Sequence, residues 1–166
     1  MHLFVVRHGI AIERGAPKCP PDPERFLTEE GIAKARQSAN GVAALGAAAD
    51  QMLSSPYVRS LQTAEIFAEA LGFPTQKIRR SEALLPGADP LLIFRELGHE
   101  KPGANVFLFG HAPQLDELIA YALGSKRAVT ALKKAGVAQI DLQRVSPPVG
   151  TLVWVAPPKM LRRSGK

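Results

Sequence analysis

The run Leu3 to Val6 is apolar at every position, the pattern of a strand buried on both faces. Asn105 to Phe109 repeats it and predicts a second central strand. Elsewhere the spacing becomes helical. Ile32, Ala35, Ala39, Val42 and Leu45 form one apolar stripe, Leu61, Ala64, Ala68 and Leu71 a second, and Leu115, Leu118, Ile119, Ala122 and Leu123 a third. Gln51 to Ser54 is a short strand, and Ile78 to Leu85 is read as another. Ala138, Ile140 and Leu142 alternate with Gln139, Asp141 and Gln143, as in a half-exposed edge strand. Thr151 to Val155 is expected to pair with it across Ser146-Pro147-Pro148.

Local punctuation agrees with this order. Thr28 reads as an N-cap, with Glu29 and Glu30 facing the positive end of the helix, which Gly46 could close. Ser55 and Pro56 read as the N-cap and first residue of the next helix, with Gly72 behind it. Asp89 before Pro90 opens a helix running through Leu97 to Gly98, and Gly124 follows the last stripe. Glu13 to Glu24 contains Pro17, Pro20, Pro21 and Pro23, so it is a loop. Coming directly after the first strand, it should wall any pocket there. The alternation of strands and helices predicts one domain over 1–166. Its expected form is a three-layer α/β/α sandwich with a mainly parallel central sheet and an antiparallel edge. Residues 157–166 read as a frayed basic tail.

Composition narrows the class. The chain has 166 residues, 46% hydrophobic and 22% charged, as in ordinary globular proteins. No apolar run is long enough to span a bilayer, no secretory signal is evident, and Cys19 is the lone cysteine. These features predict a cytoplasmic protein. The net charge of +6 raises the question of nucleic acid. The cations, however, are scattered as Arg79-Arg80, Lys126-Arg127, Lys133-Lys134 and Arg162-Arg163, with few aromatics and no nucleic-acid module. A positive field suits phosphorylated or acidic substrates. Neither a nucleic-acid nor a membrane partner is expected.

The first strand stops on Arg7, His8 and Gly9. A cation and an imidazole belong where a strand emerges, and ligands bind at the carboxyl ends of strands in open α/β sheets. The segment Ser54-Ser55-Pro56-Tyr57-Val58-Arg59 follows another strand and opens a helix, where unpaired N–H groups favour anions. Phe107-Leu108-Phe109-Gly110-His111 ends a third strand on a histidine. Together the three motifs resemble the histidine phosphatase (phosphoglycerate mutase-like) superfamily over nearly the whole chain. The short length and the segment Arg25-Phe26-Leu27-Thr28-Glu29-Glu30-Gly31 look most like the SixA-type phosphohistidine phosphatases.

The resemblance implies a phosphoglycerate mutase-like fold and metal-independent phosphatase activity, with no cofactor. It implies His8 as a nucleophile that is transiently phosphorylated and His111 as a stabiliser of the transferring phosphoryl group. Arg7 and Arg59 supply planar forks matched to phosphate oxygens. Gly9 and Arg25 are further substrate-contact candidates; Arg25 is also readable as a loop buttress, and equally as a surface charge preceding the helix cap. Glu82 and Asp89 are the candidates for a general acid, although Asp89 is also explained as a cap. The cysteine and carboxylates show no zinc-ligand spacing around His8 or His111. His2 and His99 are expected at the surface. With no long insertion to form a lid, the pocket should be open and suit a phosphorylated protein, above all protein phosphohistidine. Small phosphoesters are the alternative substrate class, and a phosphate-recognising module without turnover is a third reading.

Overall fold

The computed structural model describes residues 1–164. Four parallel strands, β1 (His2–Arg7), β2 (Gln51–Ser54), β3 (Arg79–Arg80) and β4 (Asn105–Gly110), are joined by helices. They continue into an antiparallel hairpin, β5 (Val137–Val145) and β6 (Pro148–Ala156). The sheet order is β3-β2-β4-β1-β5-β6, which puts β1 and β4 side by side at the centre. The helices are α1 (Glu29–Ala44), α2 (Val58–Leu71), α3 (Leu91–Leu97), α4 (Gln114–Ala122) and α5 (Pro158–Ser164).

Side-chain alternation on the central strands builds two cores. Leu3 and Val5 of β1, with Val106 and Leu108 of β4, face α3 and α4. Phe4, Val6, Phe107 and Phe109 face α1, α2 and α5. Phe4 and Phe107, paired in register, stack with ring centroids 4.4 Å apart. The apolar runs were continuous because both faces of these strands are covered. Each large aromatic here is worth about 3–5 kcal/mol against truncation to alanine.

The expected mixed sandwich is present, with corrections of detail. Ser55 does not cap α2, which starts at Val58 with Tyr57 as N-cap. The Ile78–Leu85 strand shrinks to Arg79–Arg80, followed by a 3-10 turn over Glu82–Leu84, because Ser81 turns back to accept from the Ala83 N–H. The alternating strand β5 is interior, and β6 is the edge, with Val153 and Val155 exposed. Leu45, placed in the α1 stripe, is 56% exposed beyond the end of the helix. The 157–166 segment is helical over Pro158–Ser164, because Leu161 gives it an apolar anchor that is buried against α1. Residues 165 and 166 lie outside the described residues.

Helix α1 makes two backbone-close contacts. Thr28 caps it by accepting from Gly31 N–H at 3.0 Å, worth about 1 kcal/mol. A Cβ at Gly31 would overlap the Ile10 carbonyl of the loop after β1, and one at Gly41 would overlap the Leu161 carbonyl of α5. No helix among the described residues is long and apolar enough to cross a membrane.

Candidate active site

Parallel register brings the motifs together. Arg7 pairs with Gly110 across β1 and β4, and Ser54 pairs with Phe109 across β2 and β4. Arg7-His8, Ser54-Ser55 and Gly110-His111 therefore leave the sheet at one end, side by side. The His8 and His111 ring centroids are 5.1 Å apart. His8 is 8% exposed, Arg59 3% and His111 3%.

The His8 Nδ1 lies 2.7 Å from the Gly9 carbonyl, which can only accept. That places the proton on Nδ1 and the lone pair on Nε2. Arg59 Nε stands 3.4 Å from this Nε2 and donates toward it. Burial, partly offset by the Gly9 bond and reinforced by Arg59, Arg7 and Lys134, lowers the His8 pKa to about 3. His8 is thus a neutral imidazole with a directed lone pair.

His111 Nε2 is 2.9 Å from Ser55 Oγ, so the serine expected to cap a helix instead orients this ring. Burial, then the neighbouring His8 and Arg59, which disfavour a second cation beside them, lower the His111 pKa to about 3. Its Nδ1 is buried without a partner among the described residues, as is Arg7 Nε. Tyr57 lies edge-on to His111 at 5.3 Å and beneath the Arg59 guanidinium at 4.9 Å.

The two arginines are held from outside the motifs. Arg7 Nη1 donates to the Leu132 carbonyl at 2.7 Å. Leu132 N–H and Thr130 Oγ1 donate to the buried Asp116 at 3.0 and 2.7 Å. The Arg59 carbonyl accepts from Thr63 Oγ1 at 2.7 Å, and that oxygen accepts in turn from Gly9 N–H at 3.0 Å. Burial depresses both guanidinium pKa values, opposed by Asp116 at Arg7 and by Asp22 at Arg59.

The proline-rich loop does wall the site, and more closely than expected. Arg59 Nη1 donates to the Asp22 carbonyl at 2.6 Å and Nη2 to Asp22 Oδ2 at 3.3 Å. This puts a carboxylate on the rim of the site. Arg25 buttresses that loop, donating to the Ile12 carbonyl at 2.8 and 2.6 Å and to Asp22 Oδ1 at 2.9 Å. Gly9 spends its N–H on Thr63, and its missing Cβ makes room for Leu27 and the Gly31 carbonyl. Asp89 accepts from Leu91 N–H at 2.9 Å at the start of α3, and Glu82 is exposed on the 3-10 turn. Neither shares a hydrogen bond with the four converging residues. His2 pairs with Asp141 at 2.6 Å, and His99 is exposed. Among the described residues no group of three His, Cys, Asp or Glu side chains could hold a metal ion.

Ser55, Thr63, Asp22 and Asp116 are the residues that sequence reasoning missed. Ser55 stood within the quoted motif, and Thr63 lies one helical turn beyond Arg59. Asp22 stood among prolines that marked a loop, and Asp116 had no local signal.

Residues 3–84, which include Arg7, His8 and Arg59, match the histidine phosphatase superfamily (branch 1). The chain belongs to that superfamily. The solved structure of the protein histidine phosphatase SixA superposes on this phosphatase with a TM-score of 0.85 and 26% identity. It covers 97% of this chain and 99% of that one. An uncharacterized protein of Picosynechococcus sp. is 34% identical over 138 residues, 82% of each chain. Mitochondrial serine/threonine-protein phosphatase Pgam5 of Drosophila persimilis is 29% identical over 106 residues, 64% of this chain and 35% of that protein. The phosphatase thus spans about a third of Pgam5, against most of the Picosynechococcus relative.

Proposed function

We propose that this phosphatase hydrolyses phosphohistidine on proteins, without a metal, through a covalent phosphohistidine formed on His8. The observation that carries the reading is the His8 geometry: a neutral buried imidazole whose Nδ1 proton is fixed by Gly9 and whose Nε2 lone pair faces the Arg59 fork. Nε2 attacks phosphorus, the bond to the leaving group breaks and its electron pair departs with that group. Water then attacks the phosphorus of phospho-His8, returning the electron pair to Nε2 and releasing phosphate. Charge stays on the peripheral oxygens throughout, so catalysis is mostly positioning and electrostatic stabilisation. Arg7, Arg59 and His111 supply it; in this reading the Ser55 hydroxyl, 2.9 Å from His111 Nε2, is the donor of that pair, which leaves the His111 proton on Nδ1 for the phosphoryl group. The similar SixA structure is a complex with tungstate, an oxyanion, which supports an oxyanion-binding reading.

The choice of phosphohistidine rests on the leaving group. A protonated imidazole leaves neutral, whereas an alkoxide needs a proton in the transition state. Glu82 and Asp89 lie outside the hydrogen-bonded cluster and are not proposed as its source. The Pgam5 relatives, named as serine/threonine-protein phosphatases, favour a second reading, hydrolysis of alkyl phosphoesters. Rapid quenching during turnover should trap an acid-labile, base-stable phosphoenzyme that is absent from His8→Ala and unaffected by chelators. Normal turnover by His8→Ala would overturn covalent catalysis. Phosphoserine cleaved as readily as phosphohistidine would transfer the assignment to the second reading.

A further inference from the structure

The rim carboxylate of Asp22 is not accounted for by phosphoryl binding, because a carboxylate beside a phosphoryl dianion is repulsive. Its two oxygens are unequally engaged. Oδ1 takes Arg14 Nε at 3.1 Å and Arg25 Nη1 at 2.9 Å, whereas Oδ2 has the single long contact to Arg59 Nη2 at 3.3 Å. A carboxylate oxygen accepts about two hydrogen bonds, so Oδ2 has capacity left. The Arg59 guanidinium spans the distance from the His8 lone pair to this oxygen, with N–H groups on both Nη atoms still available to an oxyanion. Whatever is attached to phosphorus on the Arg59 side therefore meets Oδ2.

We propose that Asp22 is a specificity-determining residue whose Oδ2 accepts the N–H of a departing imidazole and keeps that ring protonated while the P–N bond breaks. The inference rests on the phosphohistidine reading above. The phosphoryl group occupies one ring nitrogen of the substrate, and the other carries the proton that Oδ2 holds. When His8 Nε2 bonds to phosphorus, the P–N electron pair passes to the ring nitrogen and neutral imidazole leaves. Without that proton the leaving group would be imidazolate, a far poorer one. An adjacent carboxylate favours the charged, protonated ring. It also repels a substrate whose other end is anionic.

Asp22 is suited to the part because it stays ionised. Burial would raise its pKa, but bonding from Arg25, the Arg59 charge and Arg14 outweigh this and hold it at about 2. The charged groups facing it are Arg14 and Arg25 from its own loop and Arg59 from α2. His111, at the end of β4, feels its field. The loop is fixed by the Arg25 bonds to Ile12, so the carboxylate is presented at a set place.

The test is Asp22→Asn, assayed for kcat/KM against pH on a phosphohistidine peptide and on p-nitrophenyl phosphate. Loss of a charge-assisted acceptor should cost about tenfold on phosphohistidine near pH 8, with the alkaline fall of its profile moved to lower pH. Activity on p-nitrophenyl phosphate, whose leaving group has no N–H, should change less than about threefold; that activity also reports that the variant is folded. Equal losses on both substrates would reduce Asp22 to a positioner of Arg59, and equal gains to a mere obstruction. Either result overturns the proposal, as does an unshifted pH profile. Wild-type protein inactive on phosphohistidine but active on the aryl ester would instead refute the underlying reading.

Discussion

Arg7 Nη1 reaches the carbonyl of Leu132 at 2.7 Å, across 125 positions of the chain. That carbonyl stays in place because Asp116, at the start of α4, receives Leu132 N–H and Thr130 Oγ1. Asp116→Ala should leave both donors without their acceptor, lowering stability by about 1–3 kcal/mol in urea unfolding. Because the Arg7 fork then loses its seat, kcat/KM should fall about tenfold or more, a displaced group being costly out of proportion to the shift. Unchanged activity with reduced stability would separate Asp116 from Arg7.

His111 and Ser55 should fail in graded fashion. Truncating His111 to alanine removes the proposed donor to the transferring group, and the expected loss is about 10²–10³ in kcat. Ser55→Ala leaves the ring present but its tautomer unfixed, and the expected loss is smaller, about tenfold. Far-ultraviolet circular dichroism of both variants should match the wild type.

The two buried imidazoles make stability depend on pH in a defined window. His8 and His111 each have a pKa lowered from 6.5 to about 3 in the folded protein. The unfolded chain therefore binds more protons between those values, and stability rises with pH there. Their contribution is complete above about pH 6.5 and is lost as pH falls toward 3. Asp22, lowered from 3.8 to about 2, adds a loss at still lower pH. Urea unfolding as a function of pH should show the decline below 6.5, and it should be shallower in the His8→Ala/His111→Ala double variant. The acid limb of activity should likewise lack a His8 inflection near 6.5.

Gly31→Ala should be more damaging than a helix propensity scale suggests. Alanine favours helix by about 1 kcal/mol over glycine, yet here its Cβ would strike the Ile10 carbonyl. That carbonyl also accepts Thr28 N–H at 2.9 Å, and it lies one residue after Gly9, whose own carbonyl holds His8 Nδ1. A lower melting temperature together with reduced kcat is expected, whereas the exposed Ala33→Gly should lower stability alone.

The central strands and the four converging residues were legible because the physics there is local and repetitive. Leu3 to Val6 and Val106 to Phe109 announce burial on both faces, and each run breaks on the residues that reach the site. What escaped was relational. Ser55 looks like a cap in one dimension, and only the β2–β4 register shows it beside His111. Asp22 sits in a loop whose prolines predict irregularity but not its fold onto Arg59. Pro158 to Ser164 looked basic and loose, since one buried Leu161 is too small a signal to mark a docked helix.

Helix α1 touches backbone at Gly31 on the catalytic side and at Gly41 on the α5 side. Ten residues of helix separate them by about 15 Å and nearly three turns, so both glycines face their neighbours only in one phase. A single residue inserted or deleted between them would rotate one contact about 100° away from its seat. The stretch 31–41 is therefore a fixed-length spacer. Its residue identities can drift on the exposed face, but its count cannot, and an indel there would unseat either the active-site loop or the carboxyl-terminal helix.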